Sequence, residues 1–207
     1  YSSKIPSAQI KSSILLAGLG AGGITKLSEK YLSRDHTEIM MKNMGIDINI
    51  NNNSIQLKQI KKNIKPINIF IPGDPSTASF FAAAGLLLNK KIILNKILLN
   101  PTRIGFFNII EKMGAIVEYK NVVESFGEKM GDIKIIPRKL NAITINKKMI
   151  PSIIDEIPIL AILASISNGT TKIVGAKDLR YKECDRIKAI CLNLKNMGVD
   201  IYELDDG

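Results

Sequence analysis

Apolar and polar positions along the chain follow one order three times over. A helical apolar run, SAQIKSSILLAGL, leads to a β-rich stretch, ITKL. An amphipathic run ending in Met-Gly, RDHTEIMMKNMG, and a second β-rich stretch, IDINI, follow it. The same order returns as DPSTASFFAAAGLLL, KKIILNKI, TRIGFFNIIEKMG and AIVEY, and again as DEIPILAILASIS, TTKIVGA, RYKECDRIKAICLNLKNMG and VDIYEL. Such self-similarity is the mark of a repeated supersecondary unit, here helix, strand, helix, strand. The first helix of each unit is apolar nearly all round, which predicts burial on every side. Ser7, Asp74 and Asp155 stand at N-cap positions, and Pro75 suits a first helical turn. The second helices are expected to stop at Met44-Gly45, Met113-Gly114 and Met197-Gly198, with each glycine as a left-handed C-cap. Variable loops follow the units, as at Asn51-Asn52-Asn53 and Asn146-Lys147-Lys148. Pro66 and Pro72 flank INIFIP, which reads as a strand, and a boundary near residue 71 would separate two domains, 1–71 and 72–207.

Composition narrows the classes. The 207 residues are 45% hydrophobic and 23% charged, ordinary for one large or two small cores. The net charge is +10, but it comes mostly from scattered lysines such as Lys58, Lys61, Lys62, Lys65, Lys90 and Lys91. No Arg-rich stripe with interleaved aromatics argues for nucleic acid, so anionic metabolites are the expected partners. Cys184 and Cys191 read as one helix, roughly 10 Å apart along its axis, too far for a disulfide. No apolar run suits a bilayer span and no signal peptide is visible, so a reduced, cytoplasmic protein is expected. The chain opens on Tyr1 and closes on Leu204-Asp205-Asp206-Gly207 after an expected strand, which suggests a piece of a longer protein.

Several motifs bear on chemistry. Gly18-Leu19-Gly20-Ala21-Gly22-Gly23 fits a dinucleotide-binding pattern, but a helix precedes it and a strand follows, the reverse of what that motif needs. In Ser33-Arg34-Asp35-His36-Thr37-Glu38, Asp35 and Glu38 have capping-box spacing, while Ser33 and Arg34 could face an anion. His36, the single histidine, has no neighbouring His or Cys with which to hold a metal. In Arg180-Tyr181-Lys182-Glu183-Cys184-Asp185-Arg186, Lys182 and Arg186 are placed i,i+4 for one helix face. That cluster reads equally as a solvated helix start or as a two-cation clamp on phosphate or carboxylate with an acid beside it. Cys184 lacks an activating histidine and reads as a packed small residue. Asp155-Glu156 opens an apolar helix, as a cap or as a general base beside an anion pocket.

SAQIKSSILLAGL, SRDHTEIM, IPGDPSTASFF, DEIPILAILA and RYKECDRI occur in that order, and together they make the chain resemble the 5-enolpyruvylshikimate-3-phosphate synthase family in its class II bacterial form. The resemblance covers the whole chain. It implies an α/β fold, the inside-out α/β barrel of enolpyruvyl transferases built from repeated βαβαββ units, here in part. Residues 1–71 would then end the first domain, and 72–207 would be the first two repeats of the second. It also implies a cofactor-free cytoplasmic transferase of aromatic amino acid biosynthesis, monomeric at full length, with no metal, nucleic acid or membrane. The 5-hydroxyl of shikimate 3-phosphate would attack C2 of phosphoenolpyruvate, and phosphate would leave. By motif, Ser7, Ala8, Gln9, Ser33, Arg34, Asp155 and Lys182 would hold shikimate 3-phosphate, and Gln9 and Arg186 phosphoenolpyruvate. Asp155 would take the hydroxyl proton, and Glu183 would be the acid at the enolpyruvyl methylene. Cys184 stands where the family usually has Ser or Thr. Further cationic motifs of the family fall outside these residues.

Overall fold

In the computed structural model, residues 1–3, 6–61, 63–64 and 66–207 are described; Lys62 and Lys65 lie outside them. The chain divides into one unit of Tyr1–Ile71 with Val123–Lys129, and a second of Pro72–Val122 with Met130–Gly207.

The first unit runs β1 (Ser2–Ser3), α1 (Ala8–Gly18), β2 (Ile24–Glu29), α2 (His36–Asn43), β3 (Ile48–Asn51) and β4 (Ser54–Lys58), a complete βαβαββ. Its sheet has the order β1-β2-β4-β3, with β1 parallel to β2 and β4 antiparallel to both its neighbours. Strand β4 alternates, sending Ile55 and Leu57 inward to Leu15, Leu27 and Met41 while Ser54, Gln56 and Lys58 face out.

The second unit repeats the plan. It runs α3 (Pro75–Leu87), β5 (Ile92–Leu98), α4 (Gly105–Lys112), β6 (Ile116–Ser125) and β7 (Glu128–Ile136), the last two without their tips at Val123–Lys129. The last strand again lies between the other two, in the order β5-β7-β6. A parallel bridge from Gly73 to Ile97 stands where β1 meets β2. The third set is β8 (Thr144–Ile145), α5 (Ile157–Ser165), β9 (Lys172–Ile173) and α6 (Arg186–Asn196), with β8 parallel to β9. One core joins these elements, with Phe106, Phe107, Ile109, Ile133, Ile135, Leu160 and Leu163 almost wholly enclosed.

The Met-Gly pairs end equivalent helices. Met44, Met113 and Met197 are the C-caps of α2, α4 and α6, and Gly45, Gly114 and Gly198 follow with φ of 77°, 115° and 85°. Each end carries the same pair of bonds. The glycine N–H donates to Lys42, Glu111 or Lys195, and the next N–H to Met41, Ile110 or Leu194, all at 2.9–3.1 Å. That is the Schellman arrangement, which a residue with a Cβ enters only with strain. A Cβ on Gly114 would also lie 3.1 Å from the Lys139 carbonyl. Gly114→Ala is therefore expected to cost about 1–2 kcal/mol, read as a lower denaturation midpoint at unchanged m.

Four expectations need correction. INIFIP forms no strand in the described residues, because Pro66 and Pro72 remove donors at both ends and only Gly73 bridges to β5. VDIYEL is likewise not in a ladder: β3 and β6 rest on β4 and β7, and the third set has no such return strand among the described residues. Helices α1 and α3 are not buried all round. Ile10, Leu16, Phe80, Phe81 and Leu87 are exposed, since the described neighbours cover only part of each helix. The helix expected over RYKECDRI begins only at Arg186, so Cys184 lies in the preceding loop. Both cysteines are free thiols, Cys184 exposed and Cys191 buried.

Candidate functional site

In the first unit the candidate residues occupy two segments. Ser7 caps α1, its side chain accepting the Ile10 N–H at 3.4 Å. Ala8 and Gln9 form the first turn, Ala8 half-buried and Gln9 exposed. The N-terminus of an 11-residue helix presents N–H groups and a positive dipole end. Arg34 is half-buried in the loop before α2.

Ser33 is placed differently from its expected role as an anion ligand. It is 6% exposed. Its N–H and hydroxyl donate to Glu29 Oε1 and Oε2 at 3.0 and 2.8 Å, so its protons are turned inward. The capping box is also not formed. Asp35 makes no side-chain cap bond, and Glu38 instead meets the ammonium of Lys11 at 2.7 Å. Burial pushes the Glu38 carboxyl up, and the bond and charge of Lys11 offset this only in part. His36 Nδ1 lies 2.8 Å from Glu128 Oε1.

In the second unit three of the four candidates meet. Arg186 donates to Glu183 through Nε at 2.8 Å and Nη2 at 3.0 Å, and to Asp155 Oδ1 through Nη1 at 3.4 Å. One guanidinium thus bridges both carboxylates. The Arg186 hydrogen bond, with the Glu183 backbone N–H and the charges of Arg186 and Lys182, holds the Glu183 carboxyl below its usual range. Lys182 is exposed on extended backbone after the 3-10 turn Lys177–Tyr181. It does not share a helix face with Arg186, because Asp185 caps α6 through the Lys188 N–H at 3.0 Å. The rest of the charge cluster is structural: Arg180 pairs with Asp185 at 2.7 Å and donates to the carbonyls of Leu204 and Asp205 at 2.6 and 3.0 Å.

Asp155 precedes the N-cap of α5. The cap position belongs to Glu156, which makes no cap bond. The Glu156 carboxylate is buried and accepts from the Ser76 hydroxyl, which accepts from Arg103 Nη2 at 2.9 Å, and Arg103 also pairs with Asp74. Asp74 caps α3 through the Thr77 N–H at 2.8 Å. Burial pushes the Asp74 carboxyl up, but the Thr77 amide and hydroxyl and the Arg103 guanidinium outweigh it and hold it below its usual range. A depressed folded-state pKa stabilises above the ordinary value and is lost as pH falls through the folded value. Stability is thus expected to decline below about pH 4, less steeply in Asp74→Asn, as followed by acid denaturation.

Sequence reasoning missed Lys11, Glu29, Ser76 and Arg103. One signal was present: a lysine inside an otherwise apolar helix calls for a buried acid. A cavity of about 630 Å³ lies in the second unit, lined by Ile157, Ala161, Ile173, Cys191 and Ile201 among others. It contains none of the candidate residues, and its mostly apolar wall does not suit a polyanion.

The fold and the clusters define a class: repeated βαβαββ units that present arginine and carboxylates beside helix starts. The model of the EPSP synthase (3-phosphoshikimate 1-carboxyvinyltransferase) family matches residues 1–207, and the chain belongs to that family. It is 46% identical over 212 residues to 3-phosphoshikimate 1-carboxyvinyltransferase of Persephonella marina, covering 100% of this chain and 49% of that protein. The structure of EPSP synthase from Acinetobacter baumannii aligns with a TM-score of 0.90 at 38% identity, over 100% of this chain and 47% of that one. The enolpyruvyl transferase NikO from Streptomyces tendae shares the fold, with a TM-score of 0.57 at 20% identity over 77% of this chain and 37% of its own. The chain therefore spans about half the length of the curated relatives it matches.

Proposed function

We propose that the protein carrying this chain transfers the enolpyruvyl group of phosphoenolpyruvate to the 5-hydroxyl of shikimate 3-phosphate, with release of phosphate. The observation that carries this reading is Arg186 bridging Asp155 and Glu183 within a chain of this family. Asp155 takes the 5-hydroxyl proton as its oxygen attacks C2, and Glu183 supplies a proton to the methylene carbon. The resulting tetrahedral intermediate loses phosphate, which carries off the proton held by Asp155, while the Glu183 carboxylate takes back a methyl proton as the double bond re-forms. Both substrates carry phosphate and carboxylate, which calls for fixed cations. Ser7, Ala8, Gln9, Arg34 and Lys182 serve shikimate 3-phosphate, and Gln9 and Arg186 serve phosphoenolpyruvate.

Arg186 also sets the protonation of Glu183. A guanidinium shared between Glu183 and an incoming phosphoenolpyruvate holds the glutamate less tightly, so its pKa rises toward that of a working acid. The reaction needs no cofactor in this scheme. The protein is a cytoplasmic monomer, with 1–71 closing one domain and 72–207 forming two repeats of the next.

A test on the 207-residue chain itself follows from its length. It is expected to bind shikimate 3-phosphate weakly by calorimetry and to show no phosphate release with both substrates, since the relatives are twice as long. Rapid turnover by these residues alone would overturn the assignment of the remaining cations to the rest of the protein.

A further inference from the structure

The first unit contains a buried charge cluster to which the proposed chemistry gives no task. Lys11 is 2% exposed. Its Nζ lies 2.9 Å from Glu29 Oε1, 2.7 Å from Glu38 Oε1 and 3.3 Å from the Ser33 carbonyl. An ammonium has three N–H donors, and these partners account for all of them. Lys11 stands one turn after Ser7 and next to the proposed anion contacts, yet it has no proton left for a substrate.

Its partners lie on three elements. Glu29 ends β2, Glu38 lies in the first turn of α2, and Ser33 lies in the loop between them. Ser33 is held at every polar atom, its N–H and hydroxyl by Glu29 and its carbonyl by Lys11. The next residue is Arg34. We propose that Lys11 is a positioning residue for shikimate 3-phosphate binding, tying the start of α1, with Ser7 and Gln9, to the Ser33–Arg34 peptide so that both grip one anion. This rests on the functional reading above, which assigns Ser7, Gln9 and Arg34 to that substrate.

Stability alone does not account for the cluster. Buried ion pairs replaced by apolar groups of similar volume are often as stable or more so. Here two carboxylates share one ammonium, and Glu38 Oε2 is buried without a hydrogen bond. An apolar packing would satisfy the core better but would release the Ser33 carbonyl.

The double variant Lys11→Met with Glu38→Leu removes one charge of each sign and leaves Glu29 with its two Ser33 donors. In the full-length protein, at a temperature where the variant stays folded, its dissociation constant for shikimate 3-phosphate, by calorimetry, is expected to rise about 10–100-fold; its melting temperature falls, because Glu29 is left buried without a cation. The same double change in an Arg34→Ala background is expected to add little, because Lys11 acts through Arg34. Unchanged binding in the folded double variant overturns the proposal, and so does a full loss that persists without Arg34. Should the double variant not fold, Glu29→Gln, which keeps the side-chain shape, is expected to weaken binding in the same Arg34-dependent way, and normal binding there also overturns it. If the unsubstituted full-length protein fails to bind shikimate 3-phosphate, the functional reading itself falls.

Discussion

Asp155→Asn and Glu183→Gln, each made in the full-length protein, are expected to lower kcat by about 10²–10⁴-fold with KM little changed. That is the usual share of a positioned acid or base. Both substitutions keep size and hydrogen-bonding capacity, so the loss would report proton transfer rather than shape. Arg186→Ala is expected to behave differently. It removes a cation that both carboxylates touch and that the proposed reaction assigns to phosphoenolpyruvate in the ground state, so KM for phosphoenolpyruvate should rise. A second effect follows from the hydrogen bonds. Without Arg186, the largest influence holding the Glu183 carboxyl down is gone, and the high-pH limb of the kcat profile, set by loss of the Glu183 proton, should move to higher pH. Near-normal kcat in both carboxylate variants would reduce Asp155 and Glu183 to helix-start residues.

Arg103→Met is the second large effect. Arg103 is buried between Asp74 and Ser76, and Ser76 donates to the buried Glu156. Methionine fills similar volume but leaves these acids without the cation. The Asp74 side chain is 48% exposed, so the loss is that of charge-assisted hydrogen bonds to a half-exposed acid, about 1.5–3 kcal/mol, and the melting temperature is expected to fall by roughly 5 °C. Arg103→Lys should recover part of this, keeping the charge but not the planar fork. Because Glu156 adjoins Asp155, surviving folded enzyme should also lose kcat more than it gains KM. An unchanged melting temperature would mean that the Ser76 and Asp74 contacts contribute little.

Sequence showed the repeat most clearly where geometry leaves few choices. A Met-Gly pair after an amphipathic helix is a helix stop whose glycine must take positive φ, and all three pairs behave so. The caps at Ser7 and Asp74 were legible for the same local reason. Expectations failed where pairing decides. INIFIP and VDIYEL have strand composition, but a strand exists only with a neighbour to bond, and composition does not supply one. At the site, the family resemblance brought out Asp155, Glu183 and Arg186, which do converge. Spacing misread Glu38 as half of a capping box and gave no sign of the inward bonds of Ser33; both directions are set by Lys11 and Glu29, residues distant in sequence. The hub itself was hidden because a single lysine in an apolar helix gives no hint of which acids it will find.

In the proposed reaction these residues serve enolpyruvyl transfer to a phosphorylated shikimate. The direct test is phosphate release from phosphoenolpyruvate by the full-length protein, with and without shikimate 3-phosphate, the carbon product followed by proton NMR. Release that requires shikimate 3-phosphate, in step with new enol-ether vinyl signals, is the predicted result. Release independent of shikimate 3-phosphate, or no transfer with both substrates present, would contradict it.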